Sequence, residues 1–422
     1  MSMQKADIPE SILQLAEKNG QLQVFRFWNE LNELSRADLV KQFESIDFDM
    51  IKEAMEQTNL ASGSLISPLK TMTLAQQEER KAAFQTEGNH LIREGKVAAL
   101  VLAGGQGSRL GFNGPKGTLN VGITRELYLF EILLNNMLAN IRAAAAETNQ
   151  EMKYLHFCVM TSDQNHEQTV SFFEDHHFFG YPEKYIHFFK QDQAPALSHS
   201  GEILLDEKDR ISLAPNGNGG WFRSMMRCGL WDLLKKDGVE WINVVSVDNV
   251  LQNIADPVFL GAASLAGVPA AAKVIAKVSP DERVGAICYR NGRPSVVEYS
   301  ELTDEMRLAT DEKGQYLYHF GVTLNYLFKM TETEKAAGTS LPIHKANKKI
   351  KCLTEAGEPF VPEEPNAYKL EYFIFDILEA FDEVLSMECL REDEFAPIKN
   401  KAGVDSLQTA RDLLVKKTGI TL

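Results

Sequence analysis

Nine residues between Gly104 and Gly117 carry the densest chemistry in the chain. Gly104, Gly105 and Gly107 are followed by Arg109, Gly111, Gly114, Pro115, Lys116 and Gly117. Glycines at the end of a strand let the backbone turn tightly and bring its N–H groups close to a ligand. Successive N–H groups form a concavity that holds anions. An arginine and a lysine in the same loop add fixed positive charge suited to phosphate. The stretch therefore reads as a site for a nucleotide polyphosphate, with a ligand-free glycine turn as the plainer alternative. Two common motifs are excluded. Counting G-x-G-x-x-G from Gly105 places Leu110 at the sixth position, so the dinucleotide fingerprint fails. Lys116 is followed by Gly117 rather than Ser or Thr, so the Walker A loop fails as well.

Elements are needed to aim these groups. The apolar run Val97 to Leu102 directly before the loop suits a strand buried on both faces. Helical spacing follows over Arg125 to Glu147, then strand over Tyr154 to Met160, helix over Glu167 to His176 and strand over Lys184 to Phe189. Such alternation predicts βαβ units and an α/β fold with a mostly parallel central sheet, whose ligands sit at the strand C-termini. Trp241 to Val247 reads as a central strand ending in Asp248-Asn249; a carboxylate there is either a Mg²⁺ ligand or a helix cap. A helix is expected over Phe222 to Asp237 and a strand over Ala270 to Val278. Asn291-Gly292 marks a hairpin turn between Gly285–Cys288 and Pro294–Tyr299. Glu298, ending that hairpin, could bind a sugar hydroxyl or cap an edge. The second glycine cluster, Pro215 to Gly220, is a surface turn or the lining of a sugar or base pocket. Lys345 to Lys351 reads as a solvated basic face, Lys369 to Leu390 as helical spacing and Ser406 to Lys417 as a capped helix.

Residues 1–90 are expected to form an N-terminal helical region, with a cap at Ser35 and breaks at Ser62-Gly63-Ser64 and Ser67-Pro68. Phe27, Leu31 and Leu34 would share a face of one of its helices. Residues 91–390 would be the catalytic α/β domain, and 391–422 a small C-terminal region. A formal net charge of -15 argues against general binding to nucleic acid or anionic membranes. Neither an 18-residue apolar run nor a secretory signal appears, so a cytoplasmic location is expected. The five cysteines are widely spaced and expected to be reduced. No histidine cluster suggests a metal site, and no G-x-S-x-G suggests a hydrolase.

The loop LAGGQGSRLGFNGPKG closely resembles the signature of the UDP-sugar pyrophosphorylases, and Arg109 favours the UDP-N-acetylglucosamine pyrophosphorylase branch. Further matches are Phe189-Lys190-Gln191 with Pro195-Ala196, Pro215 to Gly220, Val247-Asp248-Asn249, Val297 to Ser300 and Leu390 to Asn400. The resemblance spans roughly residues 90 to 415. It implies a Rossmann-like nucleotide-diphospho-sugar transferase fold and uridylyl transfer from UTP to a hexose 1-phosphate with Mg²⁺, by a monomer or homodimer. It assigns the backbone of Leu102, Ala103, Gly104 and Gly105 to uridine and phosphates. Arg109 and Lys116 would contact the triphosphate, Gln191 the uracil edge, and Gly217 would lie beside the base. Asp248 would position UTP and Mg²⁺, Lys369 would bind the nucleotide, and Lys399 the sugar phosphate. Asn218, Gly285, Glu298 and Tyr299 would line the sugar pocket. Two departures stand out. Family members often carry Asp in place of Asn216, and a sugar-contacting Asn of the family is replaced by Val322, with Asn325 matching a different position. N-acetylglucosamine 1-phosphate is the substrate the resemblance favours. A UDP-glucose or UDP-galactose type enzyme and a non-catalytic UDP-sugar-binding protein are the alternatives. An NAD-dependent oxidoreductase is disfavoured by the failed fingerprint.

Overall fold

A computed structural model describes residues 8–56, 64–149, 151–339 and 341–422. Ser62 and Gly63 of the expected break lie outside the described residues. The chain divides into two compact units, each assembled from three separated segments: 1–62, 192–220 and 341–374 in the first, and 63–191, 221–340 and 375–422 in the second. These boundaries do not coincide with the expected ones at 90/91 and 390/391, because the chain passes repeatedly between the units.

The second unit is built on an eleven-stranded sheet among the described residues. Its main path runs Thr71–Met72, Leu385–Glu388, Ala270–Ala276, Phe320–Lys329, Trp241–Ser246, Val97–Leu102, His156–Thr161, Ile186–Lys190. Five of the seven neighbour pairings are parallel; both antiparallel ones involve Phe320–Lys329. A hairpin of Ala286–Arg290 and Arg293–Val297 joins it through Gly321. Its turn residues Asn291 and Gly292 have φ of 51° and 80°, the left-handed pair such a turn requires. Every residue of Val97–Leu102 is buried. Val97, Ala99 and Val101 share one hydrophobic cluster with helices Lys81–Arg93, Leu129–Thr148 and Pro257–Ala266. This is the period-two alternation of a strand. Helices 81–93 and 257–266 cross in backbone contact. A Cβ on Gly88 would lie 1.8 Å from the Pro257 carbonyl oxygen, and one on Gly261 1.8 Å from that of Phe84. No helix of the described residues is long and apolar enough to cross a membrane.

Several expectations are corrected. Lys369 to Leu390 is not one continuous helix. Ala367–Glu371 is a strand paired with His344–Lys348, Ile374–Ala380 is 3-10 helix, and Leu385–Glu388 pairs in parallel with Ala270–Ala276. The same pairing makes the basic His344–Lys348 segment a strand rather than only a solvated face. The expected 222–237 helix is two pieces, Trp221–Arg227 and Leu230–Lys236, broken at Gly229 with φ of 78°. Ser67-Pro68 is not a break but part of Ile66–Pro68, an edge strand on Ala286–Arg290. The cap expected at Ser35 is Asn32, whose side chain accepts the Ser35 N–H at 3.0 Å. Phe27, Leu31 and Leu34 do not share a helical face, because a short 3-10 turn, Trp28–Glu30, intervenes and Leu34 is exposed. The final helix, Leu407–Thr418, is capped by Ser406 as expected.

The first unit packs helices Glu10–Lys18, Glu33–Glu44 and Phe48–Glu56 with small sheets. Phe25 meets Phe43 and Trp28 edge-on at centroid distances of 4.9 and 5.8 Å in its core. None of the five cysteines is in a disulfide, and four are buried. Burial raises the Cys158, Cys288 and Cys389 thiols above their ordinary range, which suits packing rather than nucleophilic chemistry.

Candidate active site

The glycine loop leaves the end of Val97–Leu102 with its carbonyls held from behind. Ser162 Oγ donates to the Gly104 carbonyl at 2.9 Å, and Asn165 Nδ2 to that of Ala103 at 2.9 Å. The Lys116 N–H donates to the Gly105 carbonyl at 3.1 Å, and the Gly107 N–H to that of Gly114 at 3.0 Å. Both backbone groups of Ala103 are therefore committed, since its N–H donates to Met160 at 2.8 Å; Leu102 accepts from the Val247 N–H at 3.3 Å. The N–H groups of Gly104 and Gly105 have no acceptor among the described residues. Two adjacent N–H donors without an acceptor are available to an anionic ligand. A Cβ at Gly104 would lie 2.3 Å from Gln191 Nε2 and would have to displace that side-chain end, while Gly105 faces open space. Gly117 serves packing instead, since a Cβ there would lie 2.2 Å from the Phe130 ring.

Lys116 Nζ pairs with Asp248 Oδ2 at 2.9 Å, and both side chains are mostly buried. Burial pushes the Asp248 carboxyl up. Lys116, Lys399 and a Ser246 hydrogen bond outweigh that and hold it below its ordinary value. Asp248 occupies this place because its strand is parallel to Val97–Leu102, with Ser246 opposite Leu102. Lys399 arrives from far along the chain. Asn249 Nδ2 donates to the Glu394 carbonyl at 2.7 Å, and Asn249 Oδ1 accepts the Ala396 N–H at 2.8 Å. The Ile398 N–H donates to the Asp248 carbonyl at 2.9 Å. Arg109 is exposed on the short turn Ser108–Leu110.

Beside the hairpin, Gly285, Glu298 and Val322 come together. The Val322 N–H donates to the Gly285 carbonyl at 3.0 Å, and a Cβ on Gly285 would lie 3.4 Å from Glu298 Oε1. Tyr299 is 47% exposed, with the Arg283 guanidinium 6.0 Å from its ring centre. Asn325 is not part of this group. It is buried in the sheet, accepting from Asn243 Nδ2 at 2.8 Å and donating to the Asn253 carbonyl.

In the first unit, Gly217 has φ of 86°, and a Cβ there would lie 2.3 Å from the Tyr372 carbonyl oxygen. The Tyr372 N–H donates to the Asn216 carbonyl, and Asn218 Oδ1 accepts the Ile374 N–H at 3.0 Å. Asn216 is buried, and its Oδ1 has no partner among the described residues, leaving an acceptor open in this loop. Lys369 pairs with Glu371 at 2.7 Å.

Two cations escaped the reading of the sequence. Lys277 is half-buried beside Gly321. Burial pushes its ammonium below the ordinary value, opposed by Glu282 and Glu298. Its signal was only the isolated lysine at the end of an apolar strand. Lys401 lies 3.9 Å from the Cβ position of Gly111, which brings the segment after Lys399 up to the glycine loop; one more lysine on a polar turn gives no signal.

Residues 40–421 match the family model described as UTP--glucose-1-phosphate uridylyltransferase. The chain is 32% identical to UDP-N-acetylhexosamine pyrophosphorylase-like protein 1 of Xenopus tropicalis, over 98% of this chain and 84% of that protein. It is 30% identical to UDP-N-acetylglucosamine pyrophosphorylase of Saccharomyces cerevisiae, over 94% and 88% respectively. The fold is similar to the uridine diphosphate N-acetylglucosamine pyrophosphorylase of Trypanosoma brucei solved with an inhibitor. That similarity has a TM-score of 0.84 at 28% identity and covers 99% of this chain and 85% of that one.

Proposed function

Because the chain belongs to the UTP--glucose-1-phosphate uridylyltransferase family, we propose that it forms a UDP-sugar and pyrophosphate from UTP and N-acetylglucosamine 1-phosphate. The observation that carries this reading is the Lys116–Asp248 pair at 2.9 Å beside the unpaired Gly104 and Gly105 N–H groups. An oxygen of the sugar phosphate attacks the α-phosphorus of UTP in line, the bond to the β-phosphate breaks, and pyrophosphate leaves. The nucleophile is already anionic at neutral pH, so no general base is needed. What the reaction needs is relief of repulsion between two polyanions. Gly104 and Gly105 would hold phosphate oxygens, Arg109 and Lys116 the triphosphate, and Lys399 the incoming sugar phosphate. Gln191 would read the uracil edge, and Gly285, Glu298 and Tyr299 would meet the sugar. The roles implied for Gly217, Asn218 and Lys369 in the first unit belong to the same proposal.

The donor set fits Mg²⁺. No cluster of three or more metal-binding side chains occurs among the described residues, and Asp248 offers one carboxylate. A single carboxylate completed by substrate phosphates is a usual Mg²⁺ arrangement. The ion, when bound, would neutralise charge on the transferring phosphoryl group.

Val322 favours a second reading for the sugar. Its backbone N–H bonds the Gly285 carbonyl, and an apolar side chain has no group that could donate a hydrogen bond to an acetamido group. A missing polar contact of this kind can change discrimination by orders of magnitude. N-acetylglucosamine, N-acetylgalactosamine, glucose and galactose 1-phosphates should therefore be compared with UTP, reading pyrophosphate. The acetamido sugars are expected to give the higher kcat/KM, and Val322→Asn to widen the gap by about tenfold. Preference for the hydroxyl sugars by the wild type would transfer the assignment to the UDP-glucose or UDP-galactose type.

A further inference from the structure

Lys273 is a buried cation that the proposed chemistry does not use. It lies on Ala270–Ala276, and its side chain is 1% exposed. Its Nζ pairs with Asp256 Oδ2 at 2.6 Å and with Glu394 Oε2 at 2.5 Å, and it sits 5.4 Å from the centre of the Phe259 ring. Asp256 also caps helix Pro257–Ala266, its Oδ1 accepting the Val258 N–H at 3.0 Å. Three charges inside a protein are an expensive way to gain stability, because desolvation consumes most of their attraction. What they give is a fixed geometry for Glu394, the last residue of the short helix Arg391–Glu394.

Glu394 leads directly to the site. Its carbonyl accepts from Asn249 Nδ2, Asn249 Oδ1 accepts the Ala396 N–H, and the Ile398 N–H donates to the Asp248 carbonyl. Lys399 is the next residue. Ion pairs and hydrogen bonds thus link Lys273 through Glu394 and Asn249 to Asp248 and to Ile398, the residue before Lys399. We infer that Lys273 is a positioning residue: through Glu394 it fixes the Glu394–Lys399 segment so that the Lys399 ammonium faces Asp248 and the reacting phosphates. This inference rests on the uridylyltransferase reading for what Lys399 does, although not for where Lys399 is held. Lys273 itself touches no reacting atom.

Two measurements test it. In the first, Lys273→Met and Glu394→Gln are each made with and without Lys399→Ala, and kcat and KM for UTP are read. Each single variant is expected to lower kcat by about tenfold or more with little change in the UTP KM. Lys399→Ala is expected to cost about a hundredfold in the wild type but less than about tenfold in either background. Equal costs in all backgrounds would make the triad merely structural and overturn the inference. Glu394→Gln keeps the shape and most hydrogen bonds, so it carries the cycle if Lys273→Met does not fold. The second measurement is amide hydrogen exchange, which needs no activity. In either variant, protection of Ala396 to Lys399 is expected to fall by about tenfold or more while that of Val97–Leu102 stays unchanged. Unchanged protection, or an equal loss in both segments, would overturn the inference. A wild type that releases no pyrophosphate from UTP would instead refute the functional reading and leave the exchange result to decide the positioning.

Discussion

Lys116 and Asp248 hold each other in place before any substrate arrives. Their pair leaves the carboxylate charged despite burial, ready to share its negative charge with a cation. Gly104 is equally constrained, because Gln191 occupies the space a side chain would take. Gly104→Ala is expected to push Gln191 aside and raise the UTP KM by about tenfold or more with little change in thermal stability, since a flexible side-chain end gives way more cheaply than backbone. Steady-state kinetics beside a melting curve measures this, and an unchanged KM would remove Gln191 from the uracil contact. Gly104 and Lys116 were legible in the sequence because strand, glycines and cations follow one another within some twenty residues; Asp248 was legible as a carboxylate ending a second strand, and Gln191 only through the family resemblance. Lys399 was legible only through the family resemblance, since its partner Asp248 is distant in sequence. Lys277 and Lys401 were not legible, because only folding brings them to the hairpin and the glycine loop.

At the scale of elements, the site depends on strands whose C-termini are held at one level, and on the helices that fix them. Helices Lys81–Arg93 and Pro257–Ala266 meet where Gly88 and Gly261 admit the other backbone to 1.8 Å of a Cβ position. A carbonyl cannot rotate away as a side chain can. Gly261→Val is therefore expected to destabilise the protein by about 3 kcal/mol or more, read as a lower urea midpoint; an unchanged midpoint would contradict the close crossing. The parallel alternation from Val97 to Lys190 was readable because each strand and helix carries its own hydrophobic period. The stretch from Lys369 to Leu390 misled for a physical reason. Its apolar residues fall at helical spacing, but Ala367–Glu371 and Leu385–Glu388 each find a distant strand edge, and those pairings outweigh local preference. The Gly229 break in the 222–237 helix could have been read locally, since glycine is the usual left-handed terminator.

Across the whole molecule, an acidic chain concentrates Arg109, Lys116, Lys399 and Lys401 around one edge of one sheet, so a net charge of -15 does not prevent binding of a polyanion. A second titratable group lies at the opposite, N-terminal ends of the strands. His156 Nδ1 and His187 Nε2 are 2.8 Å apart, and His156 also meets Asp237 at 3.2 Å. Burial, and then His156, lower His187 from 6.5 to about 4, against the opposing pull of Asp237. Between those values the unfolded chain binds more protons than the folded one, so stability rises with pH. The contribution is complete above about 6.5 and is lost as the pH falls through about 4. Melting temperature is accordingly expected to fall across that window and to fall less steeply in His187→Gln; parallel slopes would contradict it.

Uridylyl transfer at the Lys116–Asp248 site is tested most directly by pyrophosphate release from UTP, Mg²⁺ and N-acetylglucosamine 1-phosphate. Wild-type protein is expected to release pyrophosphate only when both substrates are present, and Lys116→Ala to do so at least about a hundredfold more slowly while melting at a similar temperature. Near-normal release by Lys116→Ala, or none by the wild type with any of the four sugar 1-phosphates, would contradict the assignment.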